Sequence, residues 1–197
     1  MENNETSMKK TALVWDNYIN YLIEAIDESN FMKRAEIKPM ATPKDDLESH
    51  LTSRSTHQRN AANIARRIAR GLGLNEEYVY AGMLMHDAGH PFSAHEGEEM
   101  LTNIGELYNV QYFHHNAKGV EVIERENLCE RAISKIPNIK DQPELRQVLR
   151  DEFPYFLDIV VSHDGEASAK DMQKKETQYP DIKTAVKIGR ASCRERV

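Results

Sequence analysis

Apolar positions recur along this chain with the three- and four-residue spacing of helices, and this pattern runs through most of it. Trp15, Tyr18, Ile19, Leu22, Ile23 and Ile26 make one amphipathic stripe, which predicts a helix over 11–28. Pro39, Pro43 and mixed charge make 38–52 a loop. A second helix is predicted over Thr56 to Arg70, with Ile64 and Ile68 on its inner face and Gly71 as its stop signal. Asn75 caps a third, whose first turn carries Glu76 and Glu77 beside the positive end of the helix dipole. Val79, Met83 and His86 share one stripe of that helix, and Pro91 is read as its end. Ala94 to Ile104 reads as a fourth helix closed by Gly105. Asn116 to Glu126 and Glu144 to His163 follow as further helical stretches. The segment between them, holding Pro137 and Pro143, is read as an irregular connection. No β-alternation and no internal repeat is visible, so the expected fold is an all-α bundle.

One stretch breaks this periodic pattern with a dense polar cluster. Residues 86–98 read His-Asp-Ala-Gly-His-Pro-Phe-Ser-Ala-His-Glu-Gly-Glu, and His57 stands upstream in Arg54-Ser-Thr-His57. A helix end decorated with solvated side chains is the plain alternative, but so many His and carboxylates beside a Pro-Phe turn serve no packing purpose. An adjacent His-Asp with a His from another element supplies three metal ligands of mixed hardness: His57, His86 and Asp87. That set suits Mg, Mn or Fe better than a structural Zn, which prefers thiolates. His90, His95 and Glu98 are left to act on a substrate. His95 and Glu98, three apart on a helix, are neighbours on one face. Arg54 lies one turn before His57, where a guanidinium can clamp a phosphate oxygen. The later Arg59, Arg66, Arg67 and Arg70 are most simply a solvated face.

The spacing Arg54-x-x-His57 followed by His86-Asp87-x-Gly-His90-Pro-Phe-x-x-His95-x-Gly-Glu98 resembles the HD-domain phosphohydrolases. Within them it is similar to the deoxynucleoside triphosphate triphosphohydrolases, of which dGTPase is the founding type. Their common form is His-Asp-x-Gly-His-Pro-Pro-Phe-Gly-His-x-Gly-Glu, and this chain keeps His95 and Glu98 in register although its Pro-Phe unit is shifted. The resemblance covers about Leu51 to Glu166. It implies an HD-domain helical bundle, truncated at its C-terminal side, and a homo-oligomer in the full-length protein. It also implies a metal-dependent attack of water on the α-phosphorus of a dNTP, releasing deoxynucleoside and triphosphate. In that scheme His57, His86 and Asp87 hold the metal, Arg54 and His90 the α-phosphate region, and His95 is the proton donor or in-line group.

The resemblance places a catalytic His at His115 rather than His114, with Glu98 orienting it. Ala117 and Gly119 stand where the family often has Gln and Ser. It requires a fourth ligand, a distal Asp, expected beyond Lys187. A second His-Asp pair, in His163-Asp164-Gly-Glu166, lacks the Gly-His-Pro continuation and is read as lying behind the site. Two other readings stay open. One is a different HD enzyme, such as a nucleotidase, a cyclic-dinucleotide phosphodiesterase or an alarmone hydrolase. The other is an HD domain that senses nucleotides without turnover.

Charge and cysteine usage narrow this little. The 197 residues carry 26 basic and 32 acidic side chains, a net charge of −6, which argues against a general nucleic-acid-binding surface. Ile188 to Val197, IGRASCRERV, resembles a sequencing adapter translated in frame, so 188–197 is expected to be non-native. On that reading 1–50 is an N-terminal helix with a lead-in loop and 51–187 an incomplete HD phosphohydrolase domain. Asp171 to Pro180 is polar and reads as a connecting segment. Without the tail Cys129 is the only cysteine, which fits a reducing cytoplasm. Met1-Glu-Asn-Asn-Glu lacks the basic and apolar regions of a signal peptide. The least polar run, Tyr78 to Met85, is too short to span a bilayer.

Overall fold

The computed structural model describes residues 2–37, 53–91, 94–108 and 115–163, with side chains from residue 13 onward except those of Ala94 and His95. Among them are α1 (Glu2–Asp27), α2 (Asn30–Ile37), α3 (Arg54–Gly71), α4 (Glu76–Leu84), α5 (Ala94–Leu107), α6 (His115–Arg125), α7 (Leu128–Lys135) and α8 (Pro143–Val161), with a short 3-10 turn at Ile139–Asp141. No strand element is present among the described residues, and no helix there is long and apolar enough to cross a membrane. The all-α expectation holds. The loop expected at 38–52, the segment 171–180 and the tail 188–197 lie outside the described residues.

The stripe predicted on α1 is buried: Tyr18, Ile19, Leu22 and Ile26 are all in the core. It packs along α7, where the Tyr18 hydroxyl lies 3.8 Å from Cys129 Sγ. Two helices were not expected. α2 buries Phe31, Met32 and Ala35, and the Ser29 hydroxyl accepts the Met32 N–H at 3.1 Å. α7 occupies much of the connection read as irregular. It follows Asn127, whose left-handed φ of 52° reverses the chain after α6.

The inner face of α3 is not the expected isoleucine stripe. Ala61, Ala62, Ala65 and Ala69 are fully buried, whereas Ile64 and Ile68 are half-buried. Small side chains let α4 lie close against α3, and this is the most extensive helix pairing among the described residues. The stop glycine is Gly73 rather than Gly71. Its φ is +70°, with Leu74 N–H donating to Ala69 O at 3.0 Å and Gly73 N–H to Arg70 O at 3.2 Å, a Schellman closure.

α4 begins as predicted, with Asn75 Oδ1 accepting the Tyr78 N–H at 3.0 Å. It ends at Leu84, well before Pro91. The chain then passes through tight turns, Ala88 N–H to Met85 O at 2.9 Å and His90 N–H to Asp87 O at 3.1 Å. α5 likewise runs through Gly105 to Leu107. α8 crosses α4 closely: a Cβ at Gly82 would stand 2.5 Å from Ile159 Cγ2. That crossing brings the C-terminal ends of α4 and α8 together, and the polar cluster sits there.

Candidate functional site

The cluster is built from the N-terminal turn of α3, the turn after α4, α5, the start of α6 and the end of α8. Ser53 caps α3, its hydroxyl accepting the Thr56 N–H at 3.2 Å. This sets Arg54 and His57 in the first turn. Arg54 is 5% exposed, and its two terminal nitrogens donate to the carbonyls of His90 and Pro91, both at 3.1 Å. Its guanidinium therefore braces the turn that carries His86, Asp87 and His90.

Asp87 is buried with four imidazoles around its carboxylate. His86 Nε2 is 3.2 Å and His90 Nε2 3.5 Å from Oδ1. His57 Nε2 is 3.3 Å from Oδ2, and His163 Nε2 is 3.9 Å from Oδ1. Burial alone would raise this carboxyl's pKa. The field of His86, hydrogen bonds from His57 and His86, and the field of His90 outweigh it and hold the group well below the usual carboxylate range.

His86 Nδ1 lies 2.7 Å from Met83 O. With Nδ1–H donating to the carbonyl, Nε2 is the nitrogen that faces Asp87: it donates to the carboxylate when the ring carries both protons and offers its lone pair to a metal ion in the neutral ring. The donor atoms of His57, His86 and Asp87 lie within 4.8 Å of one another. An ionised carboxylate with two such imidazoles fits a divalent metal ion.

A second group adjoins the first: His90, Glu98 and His115, again with donor atoms within 4.8 Å of one another. Glu98 Oε1 accepts the backbone N–H of His115 at 2.8 Å, and Oε2 accepts Nδ1–H of the same residue at 2.8 Å. One carboxylate thus caps the first residue of α6, complements its dipole and orients the ring. His90 stacks on His115 with centroids 4.0 Å apart, and its Nδ1 is 3.9 Å from Glu98 Oε2. His90 therefore stands between the two carboxylates.

The two groups approach so closely because residue 89 is glycine. A Cβ there would fall on the His115 carbonyl and the Gly119 amide nitrogen.

Seven of the eight residues expected at the site come together in this way: Arg54, His57, His86, Asp87, His90, Glu98 and His115. The eighth, His95, is in the first turn of α5, and its side chain lies outside the described residues, as do His114, Asp164 and Glu166. The solvated-face reading of α3 fits Arg59, Arg66 and Arg70, which pair at the surface with Asp27, Glu77 and Glu76.

His163 was read as lying behind the site, and it is within it. It is 3% exposed, with its ring 5.0 Å from His86 and 5.6 Å from His115. Its Nδ1 lies 2.7 Å from Val160 O, three residues back, the same lock that orients His86. The usable signal was the repetition of His-Asp at a second helix end.

The HD domain family profile matches residues 54–188 of this chain. A deoxyguanosinetriphosphate triphosphohydrolase-like protein of Neorickettsia sennetsu is 44% identical over 77 residues, 39% of this chain and 19% of the relative. One from Azorhizobium caulinodans is 45% identical over 76 residues, with the same shares. A third, from Bartonella tribocorum, is 34% identical over 100 residues, 51% of this chain and 24% of the relative. The chain spans about a fifth to a quarter of the length of the curated relatives it matches.

Proposed function

This chain belongs to the HD domain family, and we propose that it carries the catalytic centre of a deoxynucleoside triphosphate triphosphohydrolase. The observation that carries the reading is the adjacency of two unlike centres: Asp87 among imidazoles, and a Glu98–His115 pair joined to it through His90. The names of the relatives support the substrate class.

His57, His86 and Asp87 would hold a divalent ion, for which Mg, Mn or Fe suits the donors better than Zn. Such an ion supplies Lewis acidity and a bound water of lowered pKa. The protein's own residues then do the rest. Glu98 keeps Nδ1 of His115 protonated, which leaves Nε2 as the ring's basic nitrogen. Together with His90 that ring lines the approach of an anionic group. His95, in the first turn of the helix that carries Glu98, is the proposed proton donor to the leaving 5′-oxygen. Water adds to the α-phosphorus, the bond from that phosphorus to the 5′-oxygen breaks, and the oxygen takes a proton as deoxynucleoside. Triphosphate leaves intact. The reading places this chemistry in the cytoplasm, where dNTPs are available.

The test uses purified protein carrying this chain within its natural gene, a panel of dNTPs and 18O-labelled water. Deoxynucleoside and tripolyphosphate are expected in equal amounts, with one 18O in the tripolyphosphate. Release of diphosphate or single phosphates would favour a different HD hydrolase. Saturable binding without any product would favour a nucleotide sensor.

A further inference from the structure

Among the described residues most arginines face a carboxylate. Arg59, Arg66, Arg70, Arg131, Arg146 and Arg150 are paired with acidic side chains. Arg34, Arg54, Arg67 and Arg125 form no such pair there. Three of these four line one cavity of about 300 Å³ between α2, the start of α3, the turn after α4 and the end of α6. His90, Phe31 and Val122 contribute to its walls, and no carboxylate among the described residues does. Arg34 and Arg125 are exposed at its rim. Arg54 is buried within it. Both its terminal nitrogens are committed to backbone carbonyls, while its Nε–H, also buried, meets no acceptor among the described residues.

A buried donor left without an acceptor is costly unless a ligand supplies one. Cationic walls with no counter-charge concentrate anions. The volume is at the low end of ligand sites, roughly 300–1,000 Å³, and suits part of a ligand rather than the whole. His90 belongs to this cavity and to the metal centre, its Nε2 being 3.5 Å from Asp87 Oδ1. A phosphate held by a metal ion at His57, His86 and Asp87 could therefore extend past His90 into the arginine-lined space.

We infer that this cavity receives the distal phosphates of an oligophosphate substrate, with Arg34 and Arg125 as the residues that distinguish a triphosphate from a monophosphate. The inference rests on the hydrolase reading above and names its specificity determinants. Guanidinium forks at the rim bind phosphate oxygens in bidentate fashion. The Arg54 Nε–H supplies a fixed inner donor.

The experiment compares wild type with the double variants Arg34→Gln/Arg125→Gln and Arg34→Lys/Arg125→Lys. Both side chains are exposed and make no ion pair among the described residues, so circular dichroism and Tm should be unchanged. Calorimetry in the presence of Mn measures binding of inorganic tripolyphosphate and of orthophosphate. Tripolyphosphate affinity should fall at least about 10-fold in the Gln variant, as for the loss of two charge-assisted contacts, and recover in large part in the Lys variant. Orthophosphate binding should not change. With a dNTP, KM should rise by a similar factor while kcat stays within about 2-fold, the signature of lost binding that is uniform between ground and transition state. Equal tripolyphosphate affinity in wild type and the Gln variant overturns the inference, whatever the enzyme hydrolyses. Arginine-dependent tripolyphosphate binding that a dNTP does not displace also overturns it, because the cavity would then be separate from the substrate site. If no dNTP is turned over but dNTP binding is weakened by the Gln pair and restored by the Lys pair, the inference stands and only the hydrolase reading falls.

Discussion

Asp87 and Glu98 are the two carboxylates on either side of the His90 ring, and they are mounted in opposite ways. Asp87 lies in a turn wedged among α3, α4 and α8, with imidazoles at 3.2, 3.3, 3.5 and 3.9 Å. Its surroundings are the close α3–α4 pairing and the α4–α8 crossing at Gly82. Glu98 rides on α5, which among the described residues makes only slight contact with the other helices and turns Met100, Leu101, Ile104 and Leu107 outward, the last 81% exposed. Polar partners tie it to the site, among them two hydrogen bonds to His115 and the ring of His90 at 3.9 Å. Tertiary packing holds the first carboxylate and polar bonds hold the second. Damage to the first should therefore cost metal and turnover together, and damage to the second should cost turnover alone.

The largest effect is expected at Asp87. In Asp87→Asn the shape is kept, but the charge that four imidazoles surround is removed. Metal content measured by mass spectrometry should fall close to zero, and turnover by at least about 10³-fold, since water activation and charge stabilisation go together. His57→Ala and His86→Ala should behave alike, with helical content largely retained. Near wild-type metal content in any of the three would remove that residue from the ligand set.

Gly89 is the seam between the two carboxylates. Gly89→Ala forces a side chain onto the backbone of α6 at His115 and Gly119, where nothing can swing away. A loss of about 3 kcal/mol is expected in denaturant unfolding, with lower activity as His115 separates from His90. Gly119→Ala is the control. A Cβ there meets Gly89 N at 3.5 Å, an ordinary contact, and inside a helix the change should be neutral or stabilise by up to about 1 kcal/mol. Equal destabilisation by both would mean that the close approach is not what residue 89 provides.

The same contrast explains what could be read from the chain before its structure. The proposed metal ligands were legible as a cluster because metal chemistry requires His and Asp in a set pattern on two elements, and seven of the eight residues expected at the site lie together in the structure. Long helices were legible from periodicity. α2 and α7 were not, because eight residues span barely two turns and show too little repeat. The buried face of α3 was misread because periodicity weights Ile64 and Ile68 above alanine, whereas a close crossing selects the smaller side chain. The end of α4 at Leu84 was missed because Pro91 is the stronger breaker in sequence. His163 reaches the histidine cluster, and Arg34 and Arg125 the cavity beside His90, only through the packing of helices distant in sequence, which no local pattern records.

Glu98→Gln should have a smaller effect than Asp87→Asn, and a different one. The amide oxygen can still accept one bond from His115, but the negative charge that stabilises a protonated imidazole is lost. Turnover should fall about 10–100-fold, as for partners that orient a catalytic group, with metal content unchanged. His95→Ala should cost more, on the order of 10²–10⁴-fold, again with metal retained. Metal loss in parallel with activity in either variant would join the two carboxylates into one centre.

The smallest effect belongs to a third carboxylate, held like Glu98 by polar bonds but at the solvated surface. Glu130 lies at the surface between Arg146 at 2.7 Å and Arg150 at 2.5 Å. Hydrogen bonds from Arg150 and then Arg146 outweigh its partial burial and bring its carboxyl from 4.5 down to about 2. A group whose pKa is lower folded than unfolded contributes stability above its unfolded value, and that contribution disappears as pH falls from about 4.5 toward 2. Both arginines and the glutamate are substantially solvated, so screening limits the contribution to about 1 kcal/mol at most. Wild type should therefore exceed Glu130→Gln by no more than this at pH 7. The gap should narrow through the acid range and shrink in 1 M salt, where the Debye length is about 3 Å. Chemical denaturation of both proteins between pH 7 and pH 3 reads it directly. A gap that stays constant with pH would mean that Glu130 acts through packing rather than charge, and would place it with Asp87 in mode of support.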